Sequence, residues 1–270
     1  MKDRILATLV LWTLILGLPY LLGDAGAFIL LAVFGTGTFV EFSWLLRRSG
    51  YPLDRGFAIV AFTLLLSAVI LIPPWSIPPF ALLCLGLVLT AVAGLLLSSS
   101  GEITPRTLAT TGSVFFLLIP FGSAILIIHE RETGIVLLVW IIAVTKFADV
   151  GALLTGLWLG RNKLSPILSP NKTWEGLGGG ILFAVLVSVL FVLFFSSWLP
   201  ESMTLGGAAW KAVFIALAGV CGDLLESAFK REANVKDAGV AIPGIGGFFD
   251  LTDSLLLAFP VGYALIWVFL

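Results

Sequence analysis

The chain is expected to fold as an all-α, polytopic integral membrane protein of about nine transmembrane helices, with its active site at the cytoplasmic face. Three observations predict this. The 270 residues are 59% hydrophobic and only 11% charged, with mean hydropathy +1.12, where a soluble domain carries about 25% charged residues. Apolar runs of helical length recur from one end of the sequence to the other. Lys and Arg are confined almost wholly to one side of the spans those runs define.

The runs lie at 5–22, 26–46, 57–73, 79–98, 111–128, 134–158, 177–198, 206–229 and 250–270. The first is expected to be a span rather than a secretory leader, because similar runs follow it and no small-residue cleavage site stands out. Pro73-Pro74 and Pro78-Pro79 bracket a tight turn between the third and fourth. The remaining connections leave no room for a soluble domain. Two regions are expected: 1–130, holding about five spans, and 131–270, holding about four spans with cytoplasmic loops at 159–176 and 230–249. Cys84 and Cys221 both lie in apolar segments without a neighbouring His or Cys, so they carry no redox or metal role.

With the N-terminus inside, Lys2, Arg4, Arg47, Arg48, Arg55, Arg106, Arg161, Lys163, Lys172, Lys230, Arg231 and Lys236 fall on the cytoplasmic side, against Arg131 and Lys211 outside. Lys146 lies within a span. Both long polar loops then face the cytoplasm, where nucleotides are available.

Three patches converge on that face. Lys146 and Asp149 are neighbours at i, i+3, an arrangement that fits an intramembrane ion pair as well as a direct role, and Arg161 follows at the end of the same span. The loop Ser165-Pro-Ile-Leu-Ser169-Pro-Asn-Lys172-Thr173-Trp174-Glu175-Gly176 is stiffened by two Ser-Pro steps and expected to be extended. Asn171 to Glu175 reads as the start of a helix, where Ser169, Lys172 and Thr173 can meet phosphate; the bland alternative is an ordinary capped helix start. Gly178-Gly179-Gly180 reads as helix packing.

The third patch is the most informative. Asp223, Glu226 and Lys230 fall at i, i+3, i+7 on one helix face, and Asp250 and Asp253 stand at i, i+3 at the start of the last run. Between them come Arg231, Lys236, Asp237 and a turn containing Gly244, Gly246 and Gly247. Two acidic pairs on adjacent antiparallel helices can bracket one or two hard cations, Lys and Arg can hold phosphate, and glycines let backbone N–H groups come close. That mixture points to phosphoryl-group chemistry. A purely structural set of ion pairs accounts less well for aspartates inside a hydrophobic run.

The stretch from Ser227 to Asp253 resembles the signature of the phosphatidate cytidylyltransferases (CDP-diacylglycerol synthases): Ser, then Lys230-Arg231, Lys236-Asp237, Pro243, a Gly-Gly turn, and Asp250 with Asp253. The loop Ser169-Pro-Asn-Lys-Thr-Trp-Glu-Gly176 is similar to a second element of that family, while the first 140 or so residues match in hydropathy alone. Two positions depart from the pattern. Ile245 stands where the family has His, and Leu251 where it has Arg. The resemblance implies transfer of a cytidylyl group from CTP to phosphatidate with release of pyrophosphate, in phospholipid biosynthesis. It implies Mg²⁺ as cofactor, with room for a second cation, held by Asp223 and Asp250 principally, and by Asp253, Glu226 and Asp149 in or near the shell. Lys172, Lys230, Arg231 and Lys236 would hold phosphates, with Asp237 among the catalytic residues and Ser169, Lys172, Thr173, Gly246 and Gly247 in contact with substrate. The partners are CTP, phosphatidate and the bilayer, with a homodimer by resemblance and no nucleic acid. The expected location is a bacterial inner membrane with the N-terminus in the cytoplasm.

The alternatives are a transporter that uses intramembrane carboxylates, or a non-catalytic or different-lipid paralogue of the same fold. Against the transporter, the charges gather at one face rather than the midplane, and no inverted repeat is visible between the halves.

Overall fold

A computed structural model describes residues 2–72, 86, 88–92, 105–130, 133–242, 244 and 246–269. The expected fourth span and the paired prolines before it lie mostly outside the described residues, as does Ile245. The chain divides into two compact units, Met1–His129 with Phe229–Thr252, and Glu130–Ala228 with Asp253–Leu270. The chain passes from one unit to the other three times: after His129, inside the long helix that contains Phe229, and just before Asp253.

The first unit contains α1 (Lys2–Leu22), α2 (Asp24–Arg48), α3 (Arg55–Leu71) and α4 (Pro105–Ile128). Gly23, at φ 60°, turns the chain sharply between α1 and α2. Asp54 starts α3 as its N-cap, accepting from the Phe57 N–H at 3.3 Å, and its carboxylate also meets Arg106 of α4 at 2.9 Å. Aromatic rings knit these helices to the late segment of the same unit. Phe39 stacks on Phe62 at 4.5 Å, and Phe42 lies against Phe116, Phe229 and Phe249 at 5.1, 5.0 and 5.3 Å.

The second unit contains α5 (Gly134–Leu159), a hairpin of β1 (Lys163–Ser165) and β2 (Ser169–Thr173), α6 (Trp174–Phe195), the part of α7 (Leu205–Glu232) before Phe229, and α9 (Leu255–Phe269); the short α8 (Phe248–Thr252) belongs to the first unit. Glycines let α5 and α6 approach closely: Gly151 meets the Phe183 ring, and Gly179 and Gly180 meet Thr155 and the Ala148 carbonyl. Gly178, by contrast, faces open space. The buried Trp140 indole donates to Ser188 Oγ at 3.0 Å, which donates to the Ala208 carbonyl at 2.9 Å.

Two features differ from the expectation. The loop after α5 is an antiparallel hairpin, pairing Lys163 with Thr173 and Ser165 with Ser169, and the following helix starts at Trp174 rather than Asn171. Ser-Pro steps favour extended backbone, and here two such stretches pair with each other. The last run is also broken: α8 ends at Thr252 and α9 begins at Leu255, with Asp253 and Ser254 in the gap.

Among the described residues, six helical segments are long and apolar enough to cross a membrane: Asp24–Arg48, Pro105–Ile128, Gly134–Leu159, Trp174–Trp198, Leu205–Glu232 and Phe248–Val268. Leu6–Leu22 and Arg55–Leu71 are shorter apolar helices. Among the described residues, regular structure apart from the hairpin is helical, and the protein is an integral membrane protein.

Candidate active site

In the second unit, α7 presents Asp223 and Glu226 one turn apart, and the gap after α8 brings in Asp253. This approach depends on Gly222, because a Cβ there would run into the Asp253 carbonyl. Carboxylate oxygens of Asp223, Glu226 and Asp253 all lie within 4.8 Å of one another, with Glu226 only 1% exposed. Two lysines approach this group. Lys172, on β2, places its ammonium 2.6 Å from Asp223 and donates to the Val220 carbonyl at 3.4 Å. Lys146, on α5, lies 3.5 Å from Asp253 and 3.8 Å from Asp149, and donates to Ser254 Oγ at 2.8 Å. Ser254 Oγ in turn donates to Asp149 at 3.1 Å, so Asp149 is tied to the cluster through Ser254 and Lys146.

Four carboxylates therefore face two ammonium groups, a surplus of acceptors and of negative charge. The donors are all hard carboxylate oxygens, the set that Mg²⁺ prefers, whereas the nearby thiol of Cys221 is exposed and outside the group. The residues fit a divalent cation.

In the first unit, α7 closes with Asn234 in the left-handed region (φ 54°), and the Val235 N–H returns to the Lys230 carbonyl at 2.9 Å. Arg48 Nε, from α2, donates to the Ala233 carbonyl at 3.1 Å. The chain then forms a tight loop in which Ile242 and Gly246 exchange backbone hydrogen bonds of 2.8 and 3.0 Å. Gly244 and Gly246, at φ 78° and 132°, make that reversal possible. Asp250 organises the end of the loop. Its carboxylate accepts from the Gly247 N–H at 2.7 Å, as the reciprocal half of a capping box, and from the Ala238 N–H at 3.0 Å. Lys230 meets the same carboxylate at 3.0 Å, both side chains being largely buried.

The structure thus brings Asp223, Glu226 and Asp253 together, places Asp149 and Lys172 beside them, and pairs Lys230 with Asp250. Asp250, in the first unit, is engaged by the Ala238 and Gly247 N–H groups and by Lys230. Arg231, Lys236 and Asp237 are exposed, and Ser169 is half-buried in β2. The Thr173 hydroxyl is taken up as the N-cap of α6, accepting from the Gly176 N–H at 3.1 Å. Arg161 does not join Lys146 and Asp149; its backbone N–H is held by the Glu175 carboxylate at 3.1 Å. One carboxylate went unnoticed in the sequence: Glu41, which accepts from the Phe249 N–H at 2.9 Å. The signal was present, because Glu41 is the sole charged residue of the 26–46 run.

Comparison with known proteins supplies the lineage. A model of the Cytidylyltransferase family matches residues 2–269. The chain is 32% identical over 272 residues to a phosphatidate cytidylyltransferase of Pseudomonas aeruginosa, covering 99% of this chain and 97% of that protein. Proteins with the same name from Haemophilus influenzae and Bacillus subtilis are each 38% identical, over 152 and 138 residues. Those two alignments span 54% and 51% of this chain, and 53% and 50% of the relatives. With nearly its whole length matched, the chain belongs to the cytidylyltransferase family.

Proposed function

We propose that this protein is a phosphatidate cytidylyltransferase, converting CTP and phosphatidate to CDP-diacylglycerol and pyrophosphate. The near full-length similarity to the Pseudomonas aeruginosa enzyme supports the substrates, and the observation that carries the chemistry is the carboxylate group Asp223, Glu226 and Asp253 beside Lys172. Family membership also removes the transporter alternative.

In this reading a phosphate oxygen of phosphatidate attacks the α-phosphorus of CTP in line. A new P–O bond forms as the bond to the bridging oxygen breaks, and pyrophosphate leaves with the electron pair. The nucleophile is already anionic, so no side chain need remove a proton and the work is positioning and neutralisation. That accommodates Ile245 in place of His, since no proton transfer falls to that position. Asp223, Glu226 and Asp253 would hold Mg²⁺, which would supply neutralisation of phosphate charge and polarisation of the P–O bonds. Lys146 and Ser254 orient Asp253 and Asp149. Lys172, Lys230, Arg231 and Lys236 neutralise phosphate groups of the two substrates, Lys230 being oriented by Asp250, while Asp237 and the Gly246-Gly247 turn lie along the same loop. The Lys and Arg distribution supports a cytoplasmic N-terminus and cytoplasmic nucleotide access in a bacterial inner membrane. The family resemblance adds a homodimer.

The test is CTP-dependent pyrophosphate release by the purified protein in detergent–phosphatidate micelles, with and without Mg²⁺. Release that requires phosphatidate and the metal is the expected result. A preparation that binds CTP but releases nothing under these conditions overturns the assignment.

A further inference from the structure

The loop that carries Lys230's partner is held from its other side by a residue outside the signature. Glu41 lies on α2, some two hundred positions earlier in the sequence, yet its carboxylate accepts from the Phe249 N–H at 2.9 Å. It also lies flush against the loop backbone, because a Cβ at either Gly239 or Gly247 would run into its carboxylate. Asp250 grips the same loop through the N–H groups of Ala238 and Gly247, the immediate neighbour of Gly239 and Gly247 itself. The loop is therefore clamped between two carboxylates, one from α2 and one from α8. The rest of the α2 face completes the hold. Thr38 hydrogen-bonds Thr252 at 3.0 Å with both side chains buried, and a Cβ at Gly37 would meet the Phe248 ring at 2.7 Å. Residues 37, 38 and 41 share one face of the helix, and all meet α8 or the loop before it.

We infer that Glu41 is a positioning residue for the cytidylyl transfer: its carboxylate fixes the Gly239–Phe249 loop so that Asp250 presents Lys230 to phosphate. This rests on the proposed reaction for its catalytic consequence, while the clamp itself stands on geometry alone. A buried backbone N–H needs an acceptor, and a carboxylate gives a charge-assisted hydrogen bond that is stronger than a neutral one. A side chain that bonds the loop backbone acts through placement of that loop. Small misplacements of catalytic groups cost about ten- to hundredfold in rate.

The experiment compares full-length wild type with Glu41→Ala and Glu41→Gln in phosphatidate micelles, following pyrophosphate release, thermal unfolding and amide hydrogen exchange across 238–250. Glu41→Ala is expected to lower kcat by about tenfold or more, with faster exchange confined to 238–250 and cooperative unfolding retained. Glu41→Gln keeps an oxygen acceptor for Phe249 and is expected to restore both turnover and protection. Wild-type turnover in Glu41→Ala, or lost turnover with unchanged exchange in 238–250, overturns the positioning role. So does a Gln variant that loses turnover while protection across 238–250 is retained, which would show that the charge acts directly and not through the loop. If the wild type releases no pyrophosphate, the reaction reading fails, and the exchange comparison alone decides the clamp.

Discussion

The loop carboxylates of the first unit and the clustered carboxylates of the second are held in different ways. In the first, Asp250 and Glu41 are engaged by backbone N–H groups of one loop, and Asp250 also by Lys230. Their geometry is dictated by the chain they hold, so they shape structure. In the second, Asp223, Glu226 and Asp253 converge on one another, and the cations beside Asp223 and Asp253 are flexible lysines. An ammonium on a four-carbon stem can be displaced by a divalent ion or by phosphate, whereas a backbone amide cannot leave. Asp250 and Glu41 each accept from amides of the loop they hold, whereas Asp253 accepts from its own neighbour Ser254 and otherwise meets Lys146.

Four substitutions can break or sharpen that contrast. The largest effect is expected for Asp223→Asn, which removes charge from the exchangeable cluster. Turnover should fall roughly 10²–10³-fold, with a higher Mg²⁺ concentration needed for half-activity; near-normal turnover at saturating Mg²⁺ would remove Asp223 from the metal site. Asp250→Asn should cost less, about ten- to hundredfold from a loosened loop, with the Mg²⁺ midpoint unchanged. A midpoint shift like that of Asp223→Asn would make Asp250 a ligand, as the family resemblance implies, and the contrast would collapse. Lys172→Met should lower turnover about tenfold yet tighten divalent-ion binding, because an ammonium 2.6 Å from Asp223 competes with the ion. Weaker binding in this variant would show that Lys172 supports the site rather than counterbalancing it. The smallest effect belongs to Thr173→Ala. Loss of the α6 cap should cost about 1 kcal/mol of stability while KM for CTP stays put, and a raised KM would instead put the hydroxyl on the nucleotide.

Much of the exchangeable cluster was legible in the sequence. Asp223 and Glu226 at i, i+3 within one continuous helix must share a face, and a helix keeps that promise. For Asp250 and Asp253 the same spacing carries less, because it assumes an unbroken helix and the chain stops being helical at Thr252. The hairpin also escaped notice. Two Ser-Pro steps announce extended backbone, but nothing local says that Lys163 will pair with Thr173. That pairing matters, since it sets the strand from which Lys172 reaches Asp223. Glu41 escaped because its partners lie in a loop more than 190 residues further on, a contact made by tertiary folding alone. Its solitary charge in an apolar run was the available clue. The integral-membrane architecture was the easiest part to read, because bilayer thickness fixes span length and composition together.

The most direct test of the exchangeable-site claim is divalent-cation binding, by titrating Mn²⁺ as a paramagnetic stand-in for Mg²⁺ into the detergent-purified wild type and the Asp223→Asn and Asp253→Asn variants. Saturable binding to the wild type, weakened at least tenfold in both variants, is the expected result. Wild-type affinity in both variants would contradict it and place the metal elsewhere.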